Sequence, residues 1–297
     1  IICDYAVIFQ WSIAAFLFTY LNLRVQRRRE MRNYKMPTLT IAGSDSSGGA
    51  GVQADLKTFS AIGTYGMSVI TAVTAQNTQG VFLVEDLSKE IIEKQIEVVF
   101  EDIEPAAVKI GMVSSPEIIN TIVNTLKKYN PKYLVVDPVM ISKSGYSLLK
   151  PEAKKTLIEE LIPMAYIITP NTLEAEEIVG MKINTVDDMR EVGQKILELG
   201  PKYVLMKGGH LQGDAVDVLI GKDTFEIYKQ ERLDRKNTHG TGCTLSSAIT
   251  SHLALGYNIV EAVKLSKEYI TEAIRESSDI GKGVGPVNHF YKFQNLK

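Results

Sequence analysis

The sequence predicts an α/β fold: a central, mainly parallel β-sheet flanked by α-helices on both faces. Two observations predict it. From Thr38 onward, short apolar runs alternate with amphipathic stretches of helical period, the pattern of parallel strands joined by crossover helices. Within that series the run Leu134–Asp137, LVVD, has the near-continuous apolar character of a strand covered on both faces.

Taken in order, strands are expected at Thr38–Ala42, Met67–Ala75, Ala107–Gly111, Tyr133–Asp137, Tyr166–Thr169 and Tyr203–Lys207. Helices fill the intervals. Val52, Leu56, Phe59 and Ile62 recur at helical spacing between Gly51 and Gly63. Further periodic stretches run over Lys89–Glu101, Ser115–Tyr129, Glu152–Leu161 and Val186–Leu199. Ala215–Ile220 and Thr224–Tyr228, separated by Gly-Lys-Asp, read as an antiparallel hairpin. Two last helices follow at about Gly242–Leu255 and Ile259–Ser277. With no internal repeat, low-complexity tract or linker, residues 36–297 are expected to form one domain.

At 297 residues the chain can bury a core that needs no disulfide or structural metal. A net charge of −2 with 23% charged residues describes an ordinary globular protein and argues against a nucleic-acid partner. Cys3 and Cys243 stand at opposite ends of the chain, so no disulfide framework is expected and a reducing, cytoplasmic setting fits. Residues 1–35 differ from the rest. Tyr5–Leu23 is nearly all apolar or aromatic, and Arg24, Arg27, Arg28, Arg29 and Arg32 follow it, as in a membrane anchor. The alternative is a misplaced start or upstream translation, since the chain opens on Ile1 and Met36-Pro37 stands just before the first strand.

Three loops lie just beyond the carboxyl ends of expected strands, where ligands bind in open α/β sheets. The first, Gly43–Gly51 (GSDSSGGAG), lets backbone approach a ligand closely; equally, it could be a tight connection capped by Ser46 or Ser47. Asp55, one turn into the next helix, could hold a substrate hydroxyl or lie on a solvated face. In the second, Thr169–Glu177 (TPNTLEAEE), Asn171 and Glu174 have capping-box spacing, and their oxygens would also suit Mg²⁺ held through its waters. In the third, Asn237–Ala248 (NTHGTGCTLSSA), Gly240, Thr241, Gly242 and Cys243 lead into a helix, so successive amides and the helix dipole converge on a point that attracts phosphate. A cysteine there would have its thiolate favoured; a cysteine packed in the core would be inert. Lys207, at the end of its strand, could bind phosphate or snorkel at the surface. The four histidines, His210, His239, His252 and His289, are scattered and do not suggest a metal site.

The order and length of TIAGSDSSGGAGVQADLKTFSAIGTYGMSVITAVTAQNTQGV, KIGM, VVDPVM, ITPNTLEAEE, VLMKGGH and NTHGTGCTLSSA closely resemble the hydroxymethylpyrimidine/phosphomethylpyrimidine kinases of thiamine biosynthesis, a family of ribokinase-like enzymes. The similarity runs from about Thr38 to Phe293. It implies ATP, Mg²⁺ and two successive phosphorylations, of 4-amino-5-hydroxymethyl-2-methylpyrimidine to its monophosphate and then to the diphosphate. It also implies a pyrimidine pocket lined by Gly43, Asp55, Gln76, Met112 and Val139. Asn171, Glu174 and Lys207 would serve ATP and magnesium, Gly240–Cys243 would form the anion hole, and the family often forms homodimers. A pyridoxine or pyridoxal kinase of the same fold is the nearest alternative, and a non-catalytic vitamin-binding protein is a second.

Overall fold

The computed structural model describes residues 36–141, 145–209 and 213–293, and Met36–Lys297 forms one compact unit. The N-terminal segment through residue 35, and His210, lie outside the described residues. Among the described residues no helix is long and apolar enough to cross a membrane.

One nine-stranded sheet has the order β3-β2-β1-β4-β5-β6-β7-β8-β9. The strands are β1 Pro37–Asp45, β2 Tyr65–Asn77, β3 Gly80–Asp86, β4 Ala107–Ile110, β5 Leu134–Val136, β6 Ile167–Ile168, β7 Tyr203–Lys207, β8 Ala215–Gly221 and β9 Thr224–Gln230. The six from β2 to β7 pair in parallel, and β3, β8 and β9 add antiparallel edges. Strand β3 is absent from the sequence reading. Its residues do not alternate cleanly, and Phe82 and Leu83 are both exposed in the structure, so no buried face stamps a period of two on this edge.

The chain leaves β1 to form β2 and β3 on one side and returns to form β4 on the other, so a topological switch point lies between β1 and β4. Open α/β sheets bind ligands outside the carboxyl ends of the strands at such a point.

Helix α1, Gly51–Ile62, packs on the same face as α7, Thr241–Ala254, and α8, Ile259–Arg275. The opposite face carries α2 (Lys89–Asp102), α3 (Pro116–Tyr129), a short α4 (Ala153–Thr156) that continues as a π-helical turn over Leu157–Leu161, α5 (Thr172–Val179) and α6 (Val186–Leu197). In β5 the alternation is visible residue by residue: Leu134 and Val136 join the α2–α6 core, and Val135 joins the α7–α8 core.

Helix α7 is buried on every side from Thr244 to Ala254 although half of that stretch is polar. Its small hydroxyls return to the helix or reach neighbours: Thr250 Oγ1 donates to the Ser246 carbonyl, and Ser251 Oγ shares a hydrogen with Thr64 Oγ1 at 3.1 Å. Short side chains let α1 and α8 pack closely from both sides without stranding a polar atom.

Two buried histidines make this packing pH-sensitive. His252 Nδ1 meets Ser266 Oγ at 3.0 Å, and His289 Nε2 meets Thr244 Oγ1 at 3.0 Å. Burial, reinforced by Lys292 for His252 and by Lys57 for His289, pushes each imidazole down to about 4. The unfolded chain, with histidine near 6.5, therefore binds protons first as pH falls, and stability present above about 6.5 is lost on the way to 4. We expect urea melts to lose about 1–2 kcal/mol per histidine between pH 7 and pH 5. A H252Q/H289Q protein should show a shallower pH slope, and an unchanged slope would remove these two groups as the cause.

Candidate active site

The sheet ends bring the three sequence-predicted loops together, and a buried ion pair lies beneath them. Asp55, on α1, accepts hydrogen bonds from Thr40 Oγ1 of β1 at 2.6 Å, Lys109 Nζ of β4 at 2.8 Å and Ser247 Oγ of α7 at 2.6 Å. Asp55 and Lys109 are fully buried. Burial alone would lower the Lys109 pKa, but Asp55, Cys243 and Asp137 together hold it above the ordinary lysine range. The alternative of a solvated helix face for Asp55 is thus corrected: its carboxylate is buried and accepts from three protein donors, two on Oδ2 and one on Oδ1.

Around the switch point, a Cβ on Gly43 would stand 3.0 Å from Met112 Sδ, so these two predicted pocket residues are neighbours. Gln76, half-buried at the end of β2, exchanges backbone hydrogen bonds with Ser46 Oγ at 2.8 and 2.9 Å. Val139 follows β5, its amide donating to the Asp137 carbonyl. All four residues belong to the carboxyl edge of adjacent strands.

The capping of α1 differs from the sequence reading. Its N-cap is Ala50 with no side-chain cap, so neither Ser46 nor Ser47 serves as one. Asp45 replaces them: its carboxylate accepts the amides of Ser47, Gly49 and Ala50 at 2.8–3.1 Å and the Ser47 hydroxyl at 2.7 Å. His239 Nε2 reaches the same carboxylate at 2.8 Å. Burial opposes ionisation of Asp45, but His239, Ser47 and these amides outweigh it and hold the group far below the usual carboxylate range. The glycine-rich loop is thereby tied to the segment that enters α7.

Gly240 caps α7 in the left-handed region at φ 77°, and a Cβ there would lie 1.8 Å from the Gly49 carbonyl oxygen. Only glycine permits both the turn and this approach. The Thr241 amide turns back to the Thr238 carbonyl at 3.3 Å, and the amides of Gly242 and Cys243 follow in the first turn of the helix. A Cβ on Gly242 would stand 3.4 Å from Asp137 Oδ2 and 3.5 Å from Lys207 Nζ, which places the anion-binding turn directly beside a second ion pair. That pair joins Lys207 Nζ to Asp137 Oδ1 at 2.8 Å, with Thr169 Oγ1 on the same oxygen at 3.0 Å. Lys207 is therefore not a snorkelling surface lysine. Burial would lower its pKa, yet Asp137, Glu174 and Cys243 raise it overall.

Asn171 and Glu174 form the capping box of α5: Asn171 Oδ1 accepts the Glu174 amide at 2.9 Å, and Glu174 Oε2 accepts the Asn171 amide at 2.8 Å. Glu174 is buried, and that burial, with the Asp137 charge nearby, pushes it up to about 7 against the pull of Lys207 and the amides of Asn171 and Met140. For Asp137, burial opposes ionisation, but Lys207 and Lys109 outweigh it and keep the carboxylate ionised. Two carboxylates thus share a lysine, and another cation nearby would favour the charged form of the second. Among the described residues no three ligating groups form a cage for a metal. Two hard oxygen donors beside an anion site do fit Mg²⁺, which takes one or two carboxylates and completes its shell with phosphate and water.

Cys243, partly exposed, sits where these networks meet. Burial pushes its thiol up to about 11; Lys109 and the Gly51 amide pull it down, and Asp55 and Asp137 push it further up. This corrects the expectation of a favoured thiolate: the helix start is outweighed by desolvation and two carboxylates. Asp45, Lys109, Asp137 and His239 escaped the sequence reading. Asp137 ends a strand, the same signal that marked Lys207, and Lys109 is a lone charge in an otherwise apolar strand.

Comparison with known proteins agrees with this geometry. The family pattern described as phosphomethylpyrimidine kinase matches residues 45–288. A hydroxymethylpyrimidine/phosphomethylpyrimidine kinase from Rhizobium meliloti (strain 1021) is 50% identical over 259 residues, 86% of this chain and 97% of that protein. The crystal structure of a phosphomethylpyrimidine kinase from Clostridium difficile 630 is 75% identical, covers 81% of this chain and 100% of its own, and superposes with a TM-score of 0.74. Pyridoxal kinase from Staphylococcus aureus, solved with AMP-PCP and pyridoxal, is 35% identical with a TM-score of 0.80, covering 88% of this chain and 96% of its own. With a ribokinase-like sheet, an amide turn set against a glycine-rich loop, and a match across most of its length, the chain belongs to the phosphomethylpyrimidine kinase family.

Proposed function

We propose that this chain transfers the γ-phosphoryl group of ATP to the hydroxymethyl oxygen of 4-amino-5-hydroxymethyl-2-methylpyrimidine, and a second phosphoryl group to the resulting monophosphate. The observation that carries this reading is the packing of Gly240 on Gly49, which sets the amides at the start of α7 against the loop that flanks the crevice. The pyrimidine would lie over Gly43, Gln76, Met112 and Val139. Its alcohol would then face the amides of Gly242 and Cys243, with Lys207 beside the transferring group.

Phosphoryl transfer is catalysed mainly by positioning and by stabilising charge. The α7 amides and Lys207 would supply that here. Glu174 and Asp137 would hold Mg²⁺, which supplies further positive charge to the phosphates. In the first step the oxygen–phosphorus bond forms as the alcohol loses its proton and ADP departs. Cys243 is placed to receive that proton. In the second step the acceptor is a phosphate oxygen, ionised near neutral pH, and no such base is needed.

The exposed edge strand β3 favours a homodimer, with Phe82 67% and Leu83 64% exposed. Light scattering should report twice the monomer mass, and F82E/L83E should halve it.

Two experiments address the chemistry. In Gly242→Ala the added methyl meets Asp137 and Lys207 at ordinary contact distance, so the fold should keep its stability. The methyl would occupy the space over the amides, and we expect kcat for both steps to fall by about 100-fold or more, as when an oxyanion donor is lost. Undiminished turnover would place the phosphoryl group elsewhere. Cys243→Ala should slow the first step by about 10²- to 10⁴-fold and the second far less. With a thiol near 11, the first-step rate of the parent should rise with pH above 7, and that rise should vanish in the variant. Equal losses in both steps would give the thiol a positional role instead.

A further inference from the structure

His239 Nε2 faces two side chains at once: Asp45 Oδ2 at 2.8 Å and the end of the Gln76 carboxamide at 3.2 Å. A carboxylate only accepts, so the nitrogen facing Asp45 carries its hydrogen, whether the ring is neutral or charged. A ring nitrogen bearing hydrogen cannot accept from an amide NH₂. The Gln76 group that meets it is therefore the carboxamide oxygen, which shares that one hydrogen with Asp45 and is reached by a half-turn of the terminal torsion, which interchanges the two ends.

The other end of Gln76 has a matching partner. Thr74 Oγ1 donates to the Ser44 carbonyl at 2.8 Å and lies 3.4 Å from the Gln76 carboxamide. With its hydrogen committed to Ser44, Thr74 can only accept, which suits the Gln76 NH₂. Backbone bonds to Ser46 on both sides of the same residue restrict it further. One lone pair on the oxygen and one hydrogen on the nitrogen remain, side by side.

We propose that His239 is a positioning residue that fixes the orientation of Gln76 and thereby sets a preference for an aminopyrimidine ring over a pyridine ring. The proposal rests on the reading above, in which Gln76 lines the ring pocket. A carboxamide presenting oxygen and N–H together matches an exocyclic amine beside a ring nitrogen, the pairing by which glutamine reads the edge of adenine. The hydroxymethyl aminopyrimidine offers such an edge. Pyridoxine has no amine adjacent to its ring nitrogen and would leave the pair unsatisfied.

The test compares His239→Gln with His239→Leu. A glutamine nitrogen can stand close to the imidazole Nε2 position and has a hydrogen for each partner, so H239Q should retain the parent's ratio of kcat/KM for aminopyrimidine over pyridoxine. H239L fills the space without a donor. Because it also loses the bond to Asp45, some loss with both rings is expected, but it should lower kcat/KM for the aminopyrimidine about tenfold more than kcat/KM for pyridoxine. Equal behaviour of H239Q and H239L, or an equal loss with both rings in H239L, would overturn the proposal and leave His239 as a structural strut of the glycine-rich loop. Gln76→Ala separates the two levels: if it leaves the ring preference intact, Gln76 does not read the ring and both readings of it fail. If Gln76→Ala abolishes the preference and H239L does not, only the role of His239 fails. Should H239L not fold, ¹⁵N spectra of the histidine-labelled parent give the answer directly, because a hydrogen-free Nε2 on His239 contradicts the proposal.

Discussion

A single buried carboxylate, Asp55, joins the four elements on which the crevice is built. Thr40 brings β1, Lys109 brings β4, Ser247 brings α7, and Asp55 itself belongs to α1. Each contact is short and none meets solvent, so the charges of Asp55 and Lys109 are satisfied only by one another and by the hydroxyls around them. Removing one partner from such a pair leaves an uncompensated charge in the core, typically at a cost of about 3–5 kcal/mol. An apolar replacement could fill the same volume. It could not set the start of α7 against the β1–β4 switch point with directional bonds, and that placement is what the site requires.

On this foundation the glycine-rich loop and the start of α7 are linked by the buried carboxylate of Asp45. The carboxylate orders the glycine-rich loop through its amides and reaches across to His239, immediately before the anion turn. The backbone approach of Gly240 to Gly49 lies next to it. The glycine-rich loop and the turn that opens α7 are therefore one assembly. The alcohol and the phosphoryl group can be brought together without first ordering two independent segments.

The far side is organised by charge. Lys207 compensates Asp137, and Glu174, enclosed by its own helix cap, keeps an affinity for a proton near neutrality. The site is short of one positive charge before any nucleotide arrives. Under the proposed reading, a nucleotide that brings its own cation would relieve that shortage. The elevated Cys243 thiol belongs to this electrostatic balance, with two carboxylates and one lysine around it.

Local pattern determined most of the architecture. The alternation of apolar strands and amphipathic helices, the LVVD strand, the terminal hairpin and the Asn171–Glu174 capping box were all legible, because each depends on residues within a few positions of one another. The three glycine- and cap-bearing loops at strand ends were legible for the same reason. Tertiary structure alone decided what the charged residues do. Asp55 looks free to lie on a solvated helix face until Lys109, 54 residues away, is seen to close on it. Cys243 looks activated by its helix start until the carboxylates and burial around it are counted. His239 looks isolated until β1 and β2 deliver Asp45 and Gln76 to its ring. Hydrophobic periodicity is written along the chain, whereas the charge state and direction of a polar group depend on whatever long-range folding places within about 4 Å of it.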